Sequence, residues 1–168
     1  MSQAMDALPV GHSMDFKGPI GKFQYLGRGR CEVNGRNRFV KTFYMICGGS
    51  GITPIYQVFR AVMQDKGDQT KCVVLNGNRL IEDILCHREL DELALGNQHK
   101  CKVLHTLTQA PDNWPGLRGR IADPLLKEHC GREHSESLVL ICGPDALEKS
   151  AHTALNEQGW PDEDLLFF

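Results

Sequence analysis

From about Phe39 onward, short apolar runs alternate with segments of helical periodicity, and few folds accommodate that alternation. The runs are FVKTFYMICG, KCVVLNG, CKVLHTLT, SLVLICG and DLLFF. Between them, ITPIYQVFRAVMQ brings Ile52, Ile55, Tyr56, Phe59 and Met63 to one helical face, and IEDILCHRELDELAL does the same with Ile81, Ile84, Leu85, Leu90 and Leu93. DPLLKEHC and PDALEKSAHTALNEQ supply two further helical segments. Strands this apolar must be covered on both faces. The expectation is an α/β fold, a five-stranded parallel sheet with helices on both faces.

A chain of 168 residues with 41% hydrophobic content can bury one good core. Its net charge of -2 and the lack of a long basic run argue against a nucleic-acid partner. No apolar run approaches the roughly 20 residues of a membrane helix, and MSQAMDALPV lacks the blocks of a secretory signal. The seven cysteines are scattered, with no C-x-x-C, which fits a reducing cytoplasm better than a disulfide framework or a zinc site. The histidines show no metal-ligand spacing, so no metal is expected. The acidic pairs Glu82/Asp83 and Asp91/Glu92 read as a solvated helix face.

The first 35 residues have a different texture, with turn punctuation at PVGHS, KGPIG, LGRGR and VNGRN. Too few strands are present to close a barrel, so residues 1–35 read as the tail of a larger β-domain and residues 36–168 as the α/β domain.

Two glycine-bearing turns carry the chemistry. In ICGGSGITPIYQVF the first strand ends at Gly48, Gly49, Ser50 and Gly51, whose backbone can approach an anion closely. Thr53 is expected to cap the next helix, with Pro54 at its first position. Free amides and the positive helix end then form a cradle for a diphosphate without the third glycine of GxGxxG. An ordinary βα turn that holds nothing is the plainer alternative; a nucleophilic Ser50 is not favoured, because G-x-S-x-G is absent. The fourth strand ends in ICGPD, which sets Cys142, Gly143 and Pro144 at the same sheet edge. Cys142 alone would read as a buried core thiol.

These motifs resemble the nucleotide-binding half of the ferredoxin reductase-like flavoenzymes, and within them the cytochrome b5 reductases and the reductase part of assimilatory nitrate reductases. The family's GGTGITP stands here as GGSGITP, ANxxxxDIL as GNRLIEDIL, and CGPP as CGPD. KGPIGKFQYLGRG looks like the close of the family's flavin barrel, and MSQ like the end of its G-x-M-S segment. The R-x-Y-T segment that holds the flavin is absent, so the chain reads as a C-terminal piece with a partial flavin site. The resemblance implies that Gly48, Gly49, Ser50 and Gly51 hold the nicotinamide nucleotide's pyrophosphate, with Thr53 facing it and the flavin. Cys142, Gly143 and Pro144 would set the nicotinamide for hydride transfer, Ser2 would touch the FAD pyrophosphate, and Phe168 would lie near the flavin ring.

The adenine ribose separates NADH from NADPH, because a carboxylate favours a 2′-hydroxyl and repels a 2′-phosphate. NADH-using relatives carry an aspartate at the position of Thr108 and an uncharged residue at that of Arg120. Here a hydroxyl and a guanidinium replace them, with Arg79 and Arg118 nearby. This pair resembles the NADPH-preferring nitrate reductases of fungal type. The resemblance implies transfer of hydride from NADPH to FAD, then of electrons through haem to a molybdenum cofactor that reduces nitrate, these last groups lying outside this chain and working with its FAD and haem domains. A cytochrome b5 reductase-like diaphorase and a nucleotide-binding module without independent turnover remain alternatives. Trp114 either packs beside the adenine or seals its loop.

Overall fold

The computed structural model describes residues 2–18, 20–131 and 136–168, with the side chain of Ser2 outside that description. A short helix α1 (Ser2–Asp6) precedes an irregular stretch, then strands β1 (Phe23–Gly27), β2 (Arg30–Val33) and β3 (Arg36–Phe39). There follow β4 (Thr42–Gly48), α2 (Ile52–Gln64), β5 (Lys71–Asn78), α3 (His87–Leu95), β6 (Cys101–Leu107) and β7 (Leu117–Arg118). The chain closes with α4 (Asp123–His129), β8 (Ser137–Cys142), α5 (Asp145–Glu157) and β9 (Leu165–Phe167).

β4 shows why the sheet is covered twice. Its seven residues are all buried. Phe43, Met45 and Cys47 enter one apolar cluster while Tyr44 and Ile46 enter another, as the two-residue period of a strand requires. The first cluster takes Ile52, Ile55, Val58 and Phe59 from α2 and Leu90 from α3. The second takes Leu126 from α4 and Ala151, Ala154 and Leu155 from α5. Helices therefore lie on both faces, as expected.

The parallel sheet has six strands rather than the expected five, in the order β7-β6-β5-β4-β8-β9. The additional strand, β7, pairs only Leu117 and Arg118 with Leu107 and its neighbour Thr106. Two residues in a Pro- and Gly-rich loop make no apolar run, and a strand that short leaves no periodic signal. The β1, β2 and β3 strands form a separate antiparallel ribbon that runs to Phe39. The segment expected as one helix from Ile81 is instead a 3₁₀ turn over Ile81–Asp83 followed by α3. Cys86 stands between them at φ 54, a left-handed conformation that no helix interior contains. Of its expected apolar face, Ile84 and Leu90 are buried, but Ile81 and Leu85 are exposed.

Polar ties anchor the ribbon to the α/β body, and a buried lysine braces the segment that carries one of them. Asp68 is fully buried, and one of its carboxylate oxygens accepts from the Tyr25 hydroxyl and, at 2.9 Å, from the Arg28 amide. The other oxygen accepts from the Thr70 hydroxyl at 2.6 Å and the Thr70 amide at 2.9 Å. Burial alone would raise this carboxyl's pKa; the hydrogen bonds from Thr70, Tyr25 and Arg28 outweigh it and hold the group below its ordinary value. Lys100 Nζ donates to the carbonyls of Val62, Asp65 and Asp68 at 2.9, 3.3 and 2.8 Å, which matches its three protons to the carboxyl end of α2. At the far side, Arg38 of β3 pairs with Asp164 and donates to the Glu163 carbonyl at 2.7 Å, just ahead of β9.

Because the folded carboxyl of Asp68 is the more acidic one, its contribution to stability is present above the unfolded value of roughly 3.9 and is lost as pH falls through the folded value. Asp68→Asn is expected to cost about 2 kcal/mol at pH 7 and to flatten the acid limb below about pH 4, read by urea unfolding across pH.

Candidate functional site

β4 and β8 run side by side in parallel register, with Cys47 opposite Cys142, so the turns that leave them emerge together. From β4 the chain moves outward through β5 and β6 on one side, then returns to β8 and β9 on the other. Open α/β sheets form ligand crevices beyond the carboxyl ends of strands at such a reversal.

The first turn is built by two glycines with different duties. Gly48 is still extended, and Gly49 swings the chain round at φ 55, where a Cβ is disfavoured. Gly51 is needed for space: a Cβ there would lie 2.1 Å from the Cys142 carbonyl oxygen and 2.8 Å from the Gly143 amide nitrogen. The 3₁₀ turn Gly49–Gly51 runs directly into α2, so Thr53 is the second residue of that helix and not its cap, and Pro54 is the third. Thr53 Oγ1 donates to the Ser50 carbonyl at 2.9 Å. Pro54 has no N–H for that carbonyl, which lies four residues back, and the neighbouring hydroxyl serves it instead.

A cleft of about 780 Å³ opens at this edge. Gly48, Gly49, Ser50 and Pro144 line it together with Thr108 and Arg120, although the two groups are far apart in sequence. Gly51, Thr53, Cys142, Gly143 and Phe168 are not in its lining. Gly51 and Gly143 are packed between the two turns. Phe168 stands beyond β9 with its ring edge-on to Phe23 at 6.0 Å. A smaller cavity of about 460 Å³, among Val40, Lys41 and Lys71 at the amino ends of β4 and β5, contains none of the expected residues.

Thr108 and Arg120 are exposed, and Arg120 enters no ion pair among the described residues. Arg118 is committed elsewhere: its guanidinium donates to the carbonyls of Ala110, Pro111 and Asp112 at 3.2, 2.8 and 2.9 Å and holds the loop together. Arg79 lines the cleft with its Nε bonded to Gln109 at 3.1 Å. Trp114 seals its loop, since its indole donates to the Leu117 carbonyl at 2.9 Å and it has no place in the cleft lining. Glu82 and Asp83 line the cleft and lie on no helix face, because the 3₁₀ turn carries them there; Asp83 accepts from the Leu80 amide at 3.0 Å.

Burial pushes the Cys142 thiol up, and the Glu148 carboxylate adds to the effect. The group is a neutral thiol at pH 7. Glu148 Oε1 also accepts from the Gly143 amide at 3.2 Å, which steadies the second turn. One residue went unassigned from sequence. Asn78 is 8% exposed and lines the cleft, and its Oδ1 has no hydrogen-bond partner among the described residues while its Nδ2 donates to Asn76 at 3.0 Å. A buried acceptor left open beside a cleft is suited to a ligand N–H or O–H. In the sequence it is the asparagine of GNRLIEDIL, at the end of a strand.

The family described as Oxidoreductase NAD-binding domain matches residues 45–153, and the Oxidoreductase FAD-binding domain family matches residues 1–25. The NADPH nitrate reductase of Leptosphaeria maculans is 56% identical over 168 residues, and that of Aspergillus niger 58%. The NADH nitrate reductase of Lotus japonicus is 39% identical over 170 residues. Each alignment covers 100% of this chain and 19% of the relative, so the chain spans about a fifth of these relatives' length. The crystal structure of the cytochrome b5 reductase domain of Ulva prolifera nitrate reductase superposes with a TM-score of 0.91 at 31% identity, covering 99% of this chain and 64% of that one.

Gly51→Ala is expected to force the two turns apart and to cost about 1–3 kcal/mol in thermal unfolding. Ser50→Ala, at an exposed hydroxyl, should stay within about 0.5 kcal/mol of the parent in the same measurement.

Proposed function

The chain belongs to the oxidoreductase NAD-binding domain family, and on that premise we propose that it is the nucleotide-binding part of an NADPH-dependent nitrate reductase. One observation carries the reading: a single cleft gathers the glycine turn, Pro144, Thr108 and Arg120. The likeness across the whole chain to NADPH nitrate reductases at 56% and 58% identity, against 39% for an NADH enzyme, supports the choice of cofactor.

In this reading residues 36–168 form the nucleotide domain and residues 1–35 the end of a flavin barrel. The amides of Gly49 and Ser50 and the positive end of α2 seat the diphosphate, while Gly51 lets the second turn close behind them. The Thr108 hydroxyl and the Arg120 guanidinium receive the 2′-phosphate, and among the described residues Arg120 has no ion pair to give up first. Asn78 Oδ1 accepts from a ligand donor deeper in the cleft. Cys142, with Gly143 and Pro144, limits how the nicotinamide ring lies at the sheet edge.

FAD, when bound, supplies the isoalloxazine ring that accepts the hydride. The residues present fit the margin of such a site: Val10, Phe16 and Ile20 are apolar and exposed, as the packing face of a further β-structure would be. Ser2 and Phe168 would contribute at its border. No general base is required, since distance and orientation govern hydride transfer. Electrons would then pass through haem to a molybdenum centre carried elsewhere in the complete enzyme, where nitrate becomes nitrite. The seven free cysteines accord with a reducing cytoplasm. No helix among the described residues is long and apolar enough to cross a membrane.

Titration of the chain with NADPH and NADH, followed by quenching of tryptophan fluorescence, tests the reading. NADPH is expected to bind more tightly, and Arg120→Ser with Thr108→Asp should weaken it about 10- to 100-fold and favour NADH. An unchanged preference removes those two residues from the site. Failure of the parent chain to bind either nucleotide removes the cleft.

A further inference from the structure

Outside the cleft, one convergence of ligating side chains has no part in the function proposed above. His87 opens α3, Asp91 follows one turn later on the same helix, and His105 stands near the end of β6. His87 Nε2 lies 3.4 Å from Asp91 Oδ2, and His105 Nε2 lies 3.2 Å from Asp91 Oδ1. One ligand atom from each residue falls within 4.8 Å of the other two. Metal–ligand bonds of about 2.0–2.1 Å in a tetrahedral site place ligand atoms roughly 3.3 Å from one another. Each carboxylate oxygen is therefore already at coordination spacing from one imidazole, Oδ2 from His87 and Oδ1 from His105, and the two rings must draw together onto one oxygen to share an ion.

We propose that His87, Asp91 and His105 form a binding site for a divalent transition metal of the zinc class. Two imidazole nitrogens and one carboxylate oxygen suit zinc, cobalt or nickel, whereas magnesium and calcium take oxygen ligands. Three protein ligands leave a position for water. Asp91 is 55% exposed at its side chain and His87 34%, which gives an ion a path from solvent, while His105 at 8% anchors the site against the sheet. The two histidine rings already meet edge to face at 4.7 Å, and Trp114 stands 6.4 Å from His87.

The neighbours of His105 fit this role. A histidine that binds metal through Nε2 carries its proton on Nδ1 and needs an acceptor there. His105 Nδ1 lies 3.4 Å from the side-chain amide of Asn76, which can present its oxygen or its NH₂ by turning about its last bond. Asn78 Nδ2 now donates to Asn76 Oδ1 at 3.0 Å, and a turn of Asn76 alone gives up that bond so that His105 gains its acceptor while Asn78 keeps its own orientation. An ion here would tie the first turn of α3 to β6, just beyond the 3₁₀ turn whose Glu82 and Asp83 wall the cleft.

Cobalt(II) is the probe, titrated into the nucleotide-free full chain, so the outcome does not depend on the nucleotide reading. The expected result is one Co²⁺ per chain, visible d–d bands of a four-coordinate site, no near-ultraviolet thiolate charge-transfer band, and displacement by Zn²⁺. His87→Ala and Asp91→Asn, both with solvent-accessible side chains, should keep the far-ultraviolet circular dichroism of the parent and each lose at least about tenfold in affinity. Equal binding by both variants, or a spectrum dominated by thiolate charge transfer, overturns the site.

Discussion

Gly51 meets the Cys142 carbonyl so closely that no side chain fits between them, and the geometry of the sheet edge depends on that contact. It exists because β4 and β8 pair in register and release their turns at the same height. β4 holds that position because both its faces are covered, by α2 and α3 on one side and by α4 and α5 on the other. Burial of Phe43, Met45, Tyr44 and Ile46 thus fixes, through the strand, where the amides of Gly49 and Ser50 stand. A close-packed interior transmits position in this way because it has few voids to absorb displacement.

The ribbon of β1 to β3 is a separate sheet, and polar ties hold it to the α/β body. Asp68 binds Tyr25 and the Arg28 amide from one end, while Arg38 reaches Asp164 beside β9 at the other. Phe23 then packs against both Phe43 and Phe168. Phe23, near the end of the segment that matches the FAD-binding family, is in this way packed beside Phe168, the residue after β9.

Within the cleft, availability separates residues of similar chemistry. Arg118 and Arg120 are two positions apart and both exposed, yet Arg118 is bound to loop carbonyls outside the lining while Arg120 lines the cleft with Thr108. Glu82 and Asp83 share that lining, so the field there is mixed, and a guanidinium recognises a phosphate by paired hydrogen bonds more than by net charge. Cys142 is a neutral thiol for the opposite reason, since burial denies it the charged form.

The sequence by itself determined the alternation of strands and helices, the double coverage of the sheet and the glycine turn. Each is a local pattern: a run of apolar residues, a helical period, a glycine where the backbone must turn. Tertiary structure decided the rest. β7 is a strand only because β6 offers it a partner, and Cys86 breaks the helix expected from Ile81 because its left-handed φ redirects the chain. Thr53 lost its capping role because the helical path begins earlier, at Gly49. The meeting of His87, Asp91 and His105 was invisible for one physical reason: those groups are neighbours only where α3 packs on β6, and periodicity along a chain carries no record of contacts between separate elements.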